Sequence, residues 1–496
     1  MMSEIEILPE VDAFLKRQHG HFIAGKSYQD DQEARLDIIN PATEQTIATI
    51  ANGSETSVRL AAESAQHSFQ NVWSKLTPYE RSLKLNALAD VVEAHADELA
   101  QLETLSAGKL ITIARHLEVA QTAVFLRHFA SCATKIEGKT IQPSLPSMQG
   151  EQYSAFTLRQ PIGVVAGIVP WNFSLMIGAW KIGSALSTGC TIVLKPSEFT
   201  SLSVLRLAEL ALEAGIPEGA INVVTGLGST GQYLIDSALI KKVSFTGSVP
   251  TGIRIGQQAM QNDLKRVSLE LGGKNAAALL SDVNIDDILP VLIQSTFVHQ
   301  GQVCAAPERI FVHQSKYQEF VDKASAVLES LPIGSPLDAS NVFGPLSNRA
   351  QYDKVRHYLN LAAEKGQILS GGGVLEGTGY FVKPTLIKVT DVNDPLFIEE
   401  TFGPIISVIP FEDEDELLIK MNDSRFGLAA SVWSNDMRKV FRLIPKIEAG
   451  TLWINVHTFL DPAVPFGGIK ASGMGREFSD AYIDDYTELK SVMMCF

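Results

Sequence analysis

From about residue 157 onward, short apolar runs alternate with stretches of helical spacing. GVVAGIV (163–169) is continuously apolar, the pattern of a strand buried on both faces. Residues 175–188 have helical spacing, and TIVLK (191–195) reads as a second strand. Residues 202–214 form a helix stopped by Gly215, with Pro217 just beyond. INVVT (221–225), KVSFT (242–246) and VSLEL (267–271) add three more strands. Five β-rich strands separated by helices predict an α/β fold with a Rossmann-like, doubly wound parallel sheet.

The alternation resumes after residue 272. AAALL (276–280), a helix over 288–297, RIFVH (309–313), a helix over 317–331 and strands near 405–410 and 428–433 predict a second α/β domain. Ahead of both, residues 57–73, 79–95 and 97–105 carry helical runs. SAFTLRQ (154–160) and LKSVMMCF (489–496) alternate like exposed strands and are expected to pair with another subunit as a small β oligomerisation arm. The expected division is residues 1–140 and 159–271 in the first domain, 272–480 in the second, and 141–158 with 481–496 in the arm. No repeat, low-complexity tract or long linker interrupts this order.

One segment invites a different reading. PIGVVAGIVPWNFSLMIGAW (161–180) holds twenty residues without a charge. Its three glycines and two prolines suit a lone lipid-facing helix poorly, so strand, turn and buried helix is the expectation. Net charge points the same way. With 41 basic against 56 acidic residues the chain carries −15, which argues against nucleic acid or an anionic membrane as partner and suits a cytoplasmic protein. Cys132, Cys190, Cys304 and Cys495 show no CxxC pair or regular spacing, so free thiols are expected and no metal site. The acidic start MMSEIEILPEVDAF lacks the basic and apolar regions of a signal peptide.

Candidate chemistry gathers at strand ends. Cys304 follows a helical stretch and a glycine in FVHQGQVCAAPER (297–309), where a polar turn favours thiolate; a lone cysteine is otherwise a small buried hydrophobe. Glu270 ends an apolar strand before two glycines. Buried, it is a general base; exposed, an ordinary strand-end carboxylate. Asn172, at the carboxyl end of the first strand, is either an oxyanion donor or a helix cap. Two glycine-rich turns, 226–231 (GxGxxG) and 245–252, each offer backbone N–H groups to a pyrophosphate.

Taken in order, PWNF (170–173), KPSE (195–198), FTGS (245–248), LELGGK (269–274), GQVC (301–304), EETFGP (399–404) and PFGGIKASGMGRE (465–477) resemble the aldehyde dehydrogenase superfamily. The likeness runs from about residue 20 to the end. VDAFLKRQHG (11–20) and GTLWINVHTFLDPAVPFGG (450–468) look most like its phenylacetaldehyde dehydrogenases. Three positions depart from the common pattern: His299 for asparagine, Ser174 for proline, and Pro307 after the cysteine loop.

That resemblance implies NAD-dependent oxidation of a small-molecule aldehyde to a carboxylic acid. Cys304 is the implied nucleophile, Asn172 the oxyanion donor and Glu270 the base that hydrolyses the thioester, with Lys181 and Glu477 as supporting or proton-relay groups, or as purely structural ones. It makes the first domain the NAD-binding one and the second the catalytic one. Lys195 and Glu198 are implied at the adenosine ribose, Trp171 and Ser248 at the pyrophosphate, and Glu400 and Phe402 at the nicotinamide end. Val169, Ser197, Gly228, Phe245, Gly247 and Leu271 complete the implied NAD site. In this family the phosphates lie at the helix after FTGS, so 226–231 becomes a packing turn beside the cofactor. Phe173, Trp180, Val298, Val303, Phe459, Leu460 and Phe466 are the expected substrate tunnel, and a homotetramer or homodimer the expected assembly. A Cys304–His299 or Cys304–His457 hydrolase and a broad-range aldehyde oxidiser are the rival readings.

Overall fold

The uncharged run at 161–180 divides into a strand, a turn at Pro170 and a helix. In the computed structural model, which describes residues 5–496, the strand is β1 (Val164–Ile168) and the helix α1 (Ser174–Ser187). Every residue of both elements is buried. A helix that is apolar all round belongs inside a domain, and the glycines along it let neighbours close in. A side chain at Gly183, for instance, would sit 2.2 Å from the Phe129 ring. No helix among the described residues is long and apolar enough to cross a membrane.

The chain then builds β2 (Thr191–Lys195), α2 (Leu202–Glu213), β3 (Ile221–Val223), α3 (Gly228–Asp236), β4 (Ile240–Thr246), α4 (Val249–Gln261) and β5 (Arg266–Glu270). These strands are parallel and lie in the order β5-β4-β1-β2-β3. The first strand of the series is central and the chain winds outward in both directions, so β1 and β4 flank a switch point. Crevices at the carboxyl ends of such strands are where ligands bind. The sheet is larger than the sequence pattern predicts. His21–Ile23 and Lys26–Tyr28 extend it antiparallel beyond β3, and Gly473–Met474 closes the β5 edge.

A second sheet uses β6 (Asn275–Leu279), β7 (Pro307–His313), β8 (Ile368–Ser370), β9 (Thr385–Lys388), β10 (Ile405–Phe411), β11 (Ala429–Trp433) and β12 (Thr451–Ile454). Its order is β8-β9-β10-β7-β6-β11-β12, parallel except for β8. The helix α5 (Ile285–Phe297) packs beside β7 and leads into the Cys304 loop.

The two alternating segments pair with each other within the chain. Tyr153–Pro161 and Thr487–Cys495 form a nine-residue antiparallel ladder, with Thr140–Ile141 on its outer side. The strand thus runs three residues past the expected boundary at 158. Leu158, Leu489, Met493 and Phe496 stay exposed on or beside it. The N-terminal region contains the expected helices, as Glu55–Asn71, Pro78–Ala94 and Ala96–Ala107, the second opened by a Thr77/Glu80 capping box. It also holds a helix at Ala120–Cys132 and a small sheet of Gln18–His19, Thr46–Ala51 and Arg35–Ile39 that the hydrophobic pattern does not announce.

Candidate active site

Cys304 owes its position to a strained approach and three restraints. After α5 the backbone turns through His299 (φ 49°) and Gln300 (φ 57°), two successive left-handed residues, and then Gly301 (φ 74°). Such conformations cost free energy and persist only where the surroundings enforce them. Here Gln302 does so, donating to the His299 carbonyl at 3.0 Å and accepting from Ser347 N at 3.0 Å. A side chain at Gly301 would lie 2.4 Å from the Gly403 carbonyl, so only glycine fits. Beyond the turn, Asn275 Nδ2 donates to the carbonyls of Cys304 (2.7 Å) and Ala306 (2.9 Å). His457 Nε2 sits 2.9 Å from the Ala305 carbonyl.

Asn172 and Glu270 converge on the same place from the carboxyl ends of β1 and β5. Asn172 Nδ2 is anchored on the Gln302 carbonyl at 2.8 Å, which leaves its second N–H for the cavity. Glu270 is buried, and neither carboxylate oxygen has a partner. Burial, reinforced by the like charge of Glu477, holds its carboxyl well above the usual carboxylate range. Gly467 makes room for it, since a side chain there would stand 2.8 Å from Glu270 Oε1. The Cys304 thiol is pushed up to about 12, first by burial and then by Glu400 and Glu270. Burial thus disfavours the ionised form of both groups in the ligand-free protein.

Two cavities meet at these residues. One, of about 320 Å³, is lined by all seven expected tunnel residues: Phe173, Trp180, Val298, Val303, Phe459, Leu460 and Phe466. Phe459 stands at its mouth, 62% exposed, while Trp180 and Phe466 are buried against Phe478. The other cleft, of about 160 Å³, is lined by Trp171, Gly247, Ser248, Leu271, Glu400 and Phe402, among others. Asn172, Thr246, Glu270 and Cys304 line both.

The second cleft has the chemistry a dinucleotide needs. α4 starts directly after Ser248, which with Gly247 lines the cleft, so a helix N-terminus, the kind of element that receives anions, stands at its edge. Trp171 and Phe402 meet edge to face at 5.4 Å and form a wall. Glu400 is fixed by Gly273 N at 2.9 Å, and burial beside Glu308 raises its carboxyl to about 7. A side chain at Gly272 would lie 2.5 Å from both Glu400 oxygens.

Other residues named from the sequence stand apart from that cleft's lining. Lys195, Ser197 and Glu198 lie at the end of β2, with Lys195 Nζ 4.0 Å from Glu198 and bonded to the Pro196 carbonyl. Val169 donates its N–H to the Lys195 carbonyl, and the Phe245 ring lies beneath Gly247. Gly228 opens α3 with free space around it. In that turn Gly226 is the constrained glycine, with φ +143° and Thr230 Oγ1 2.2 Å from where a Cβ would be.

Of the three departures, Ser174 replaces a proline by bonding back to the Pro170 carbonyl at 2.8 Å and to Thr200. His299 is buried edge-on to Phe173 at 5.6 Å, with Nε2 on Ser347. Pro307 begins β7 at a register irregularity, where it pairs Asn275. Burial holds His299 well below the usual histidine range, and His457 falls to about 4. His457 spends both nitrogens on Ala305 and Ser431, so neither histidine is arranged as the base of a Cys304 hydrolase.

Sequence reasoning missed Asn275, Gln302 and Glu308. Glu308 accepts from Thr401 N, Thr401 Oγ1 and Phe402 N and pairs with Lys274 at 2.7 Å, which fixes the Glu400–Phe402 loop. Asn275 directly follows the LELGGK motif and Gln302 lies within GQVC, so both could have been singled out there; for Glu308 nothing local signals a partner so distant in sequence.

Residues 28–492 match the model of the family described as "Aldehyde dehydrogenase family". The chain is 41% identical to a phenylacetaldehyde dehydrogenase of Pseudomonas fluorescens, across 99% of this chain and 98% of that one. Among solved structures, an NAD+ complex of an aldehyde dehydrogenase from Bacillus cereus superposes with a TM-score of 0.96 at 37% identity, covering 99% of both chains. An Escherichia coli structure described as an NADP-dependent enzyme superposes with a TM-score of 0.93 at 36% identity, covering 98% of this chain and 99% of that one.

Proposed function

The chain belongs to the aldehyde dehydrogenase family, and from that premise we propose that it oxidises phenylacetaldehyde to phenylacetic acid with NAD. The observation that carries this reading is the aromatic tunnel ending at Cys304, where it meets the second cleft. NAD, held in that cleft, supplies the hydride acceptor. Trp171, Gly247, Ser248 and the α4 N-terminus suit its pyrophosphate, and Lys195, Ser197 and Glu198 suit the adenosine ribose beside Val169, Gly228 and Phe245. Glu400, Leu271 and Phe402 suit the nicotinamide end.

Cys304 Sγ gives up its proton to solvent water and adds to the aldehyde carbon as the thiolate. The carbonyl oxygen gains charge and is received by Asn172 Nδ2–H and the Cys304 backbone N–H. Departure of the hydride leaves a thioester on Cys304. Glu270, free of protein hydrogen bonds, then takes a proton from the water that attacks it. The product acid leaves along the tunnel. The four free thiols suit a reducing cytoplasm, and the exposed apolar edge of the arm suits assembly into a homo-oligomer.

Burying the phenyl ring among Phe173, Trp180 and Phe466 removes on the order of 100 Å² of apolar surface, about 2–3 kcal/mol. Ordering the ring offsets part of this, so phenylacetaldehyde should exceed acetaldehyde in kcat/KM by about tenfold or more. The test compares phenylacetaldehyde, hexanal and acetaldehyde with NAD. Parity between the aromatic and the smallest substrate would mean that the rings only pack the core.

A further inference from the structure

Under the first sheet a line of buried polar groups leads from the catalytic carboxylate toward the surface. Glu477 lines the tunnel with Glu270 and accepts from Lys181 Nζ at 3.0 Å; the same ammonium donates to Ser244 Oγ at 3.0 Å. Gly167, Ser244 and Ser268 are cross-strand partners on β1, β4 and β5, a row of small residues with the Lys181 stem against it. Lys242 lies two residues before Ser244 and so shares its face of the sheet. It reaches along that face to donate to Ser268, the cross-strand partner of Ser244. Ser268 Oγ donates in turn to Asp485 Oδ2 at 3.2 Å, and Asp485 is partly open to solvent.

An ammonium is an uncommon occupant of a core, and Lys242 is one. It is fully buried, with the Tyr486 ring 4.7 Å from Nζ. A well-packed apolar residue usually serves a core as well as a buried ion does. Burial lowers this amine to about 8, where it gains and loses protons readily near neutrality. The reaction, meanwhile, has protons to discharge. An aldehyde, NAD and water give a carboxylate, NADH and two protons per turnover, and Glu270 sits buried in a largely apolar tunnel.

We propose that Ser244, Lys242, Ser268 and Asp485 continue the Glu477–Lys181 pair as the route by which protons leave Glu270 for solvent. This rests on the dehydrogenase reading above. Hydrogen bonds join Glu477, Lys181 and Ser244, and again Lys242, Ser268 and Asp485. The route takes one water to span each of the two gaps, Glu270 to Glu477 and Ser244 to Lys242. Bulk buffer takes the proton from Asp485, and no electron changes hands. These four are relay residues and touch neither substrate nor cofactor.

The experiment follows NADH formation by full-length wild type, Asp485→Ala, Ser244→Ala and Lys242→Met. It separates the first-turnover burst from the steady state, at low buffer and with rising imidazole. Losing a relay group should leave the burst intact and slow the steady state about tenfold at low buffer. Imidazole should restore Asp485→Ala, whose gap opens to solvent, far more than Lys242→Met. If the lysine variant does not fold, the serine and aspartate variants carry the test. Steady states equal to wild type, or burst and steady state falling together without an imidazole response, overturn the route alone. A wild type that forms no NADH from any aldehyde overturns the parent reading and the route with it.

Discussion

Removing the Asn275 amide should disable the enzyme without touching a reacting group. This side chain is buried and makes three hydrogen bonds: to the carbonyls of Cys304 (2.7 Å) and Ala306 (2.9 Å), and from Ala429 N (3.0 Å). Asn275→Ala leaves two carbonyls and one N–H without partners in a buried site. At about 1–1.5 kcal/mol each, the loss is about 3–4.5 kcal/mol, and the small cavity adds to it. For domains of this size that lowers the melting temperature by roughly 8–12 °C. The kinetic effect should be larger. Asn275 ties β6 to the cysteine loop, and a misplacement of about 1 Å costs on the order of a hundredfold in rate. Differential scanning fluorimetry gives the first quantity, kcat/KM the second, and NAD titration by intrinsic fluorescence shows whether the cofactor cleft survives. A variant melting within about 2 °C of wild type with kcat/KM within threefold would refute the claim that these bonds position the nucleophile.

Glu270→Gln should keep the NADH burst but slow the steady state by on the order of 10²–10³, because only the water-activating step loses its base; stopped-flow absorbance separates the two. Glu198, at the expected ribose site beside Lys195, should favour NAD over NADP by roughly 10- to 100-fold in kcat/KM. Glu198→Gln should narrow that ratio, and an unchanged ratio would show that this acid does not read the ribose. Because burial raises both the Cys304 thiol and the Glu270 carboxyl, their basic forms grow as pH rises, so alkylation of Cys304 in the ligand-free protein should be slow at neutrality. It should accelerate about tenfold per pH unit. Peptide mapping distinguishes it from the exposed Cys495, and a rate already flat above neutral pH would contradict the assigned environment.

Much of the fold was legible because its strands are buried on both faces. TIVLK needs no tertiary context to be read as a strand, and it is one, Thr191–Lys195. The N-terminal strands were not legible, since Gln18–His19 and His21–Ile23 are too short to show a period and are held by partners far along the chain. The motifs led to Cys304, Glu270 and Asn172, and the structure brings those three to one cavity wall. What holds them escaped notice because it is long-range: Asn275 to Cys304, His457 to Ala305, Glu308 to Phe402. Nothing local announces that Lys109, Glu103 and Glu118 are fully buried, with Lys109 paired to both carboxylates. Lys242 hides in the same way, behind a neighbouring lysine on an otherwise apolar strand.

The central claim is a thioester on Cys304, and mass spectrometry of the intact protein addresses it directly. Glu270→Gln mixed with phenylacetaldehyde and NAD, then quenched in acid within the burst, should gain the mass of one phenylacetyl group. Proteolysis should map that group to the peptide carrying Cys304, and Cys304→Ala treated identically should gain nothing. NADH production with no adduct, or an adduct on another residue, would contradict the account.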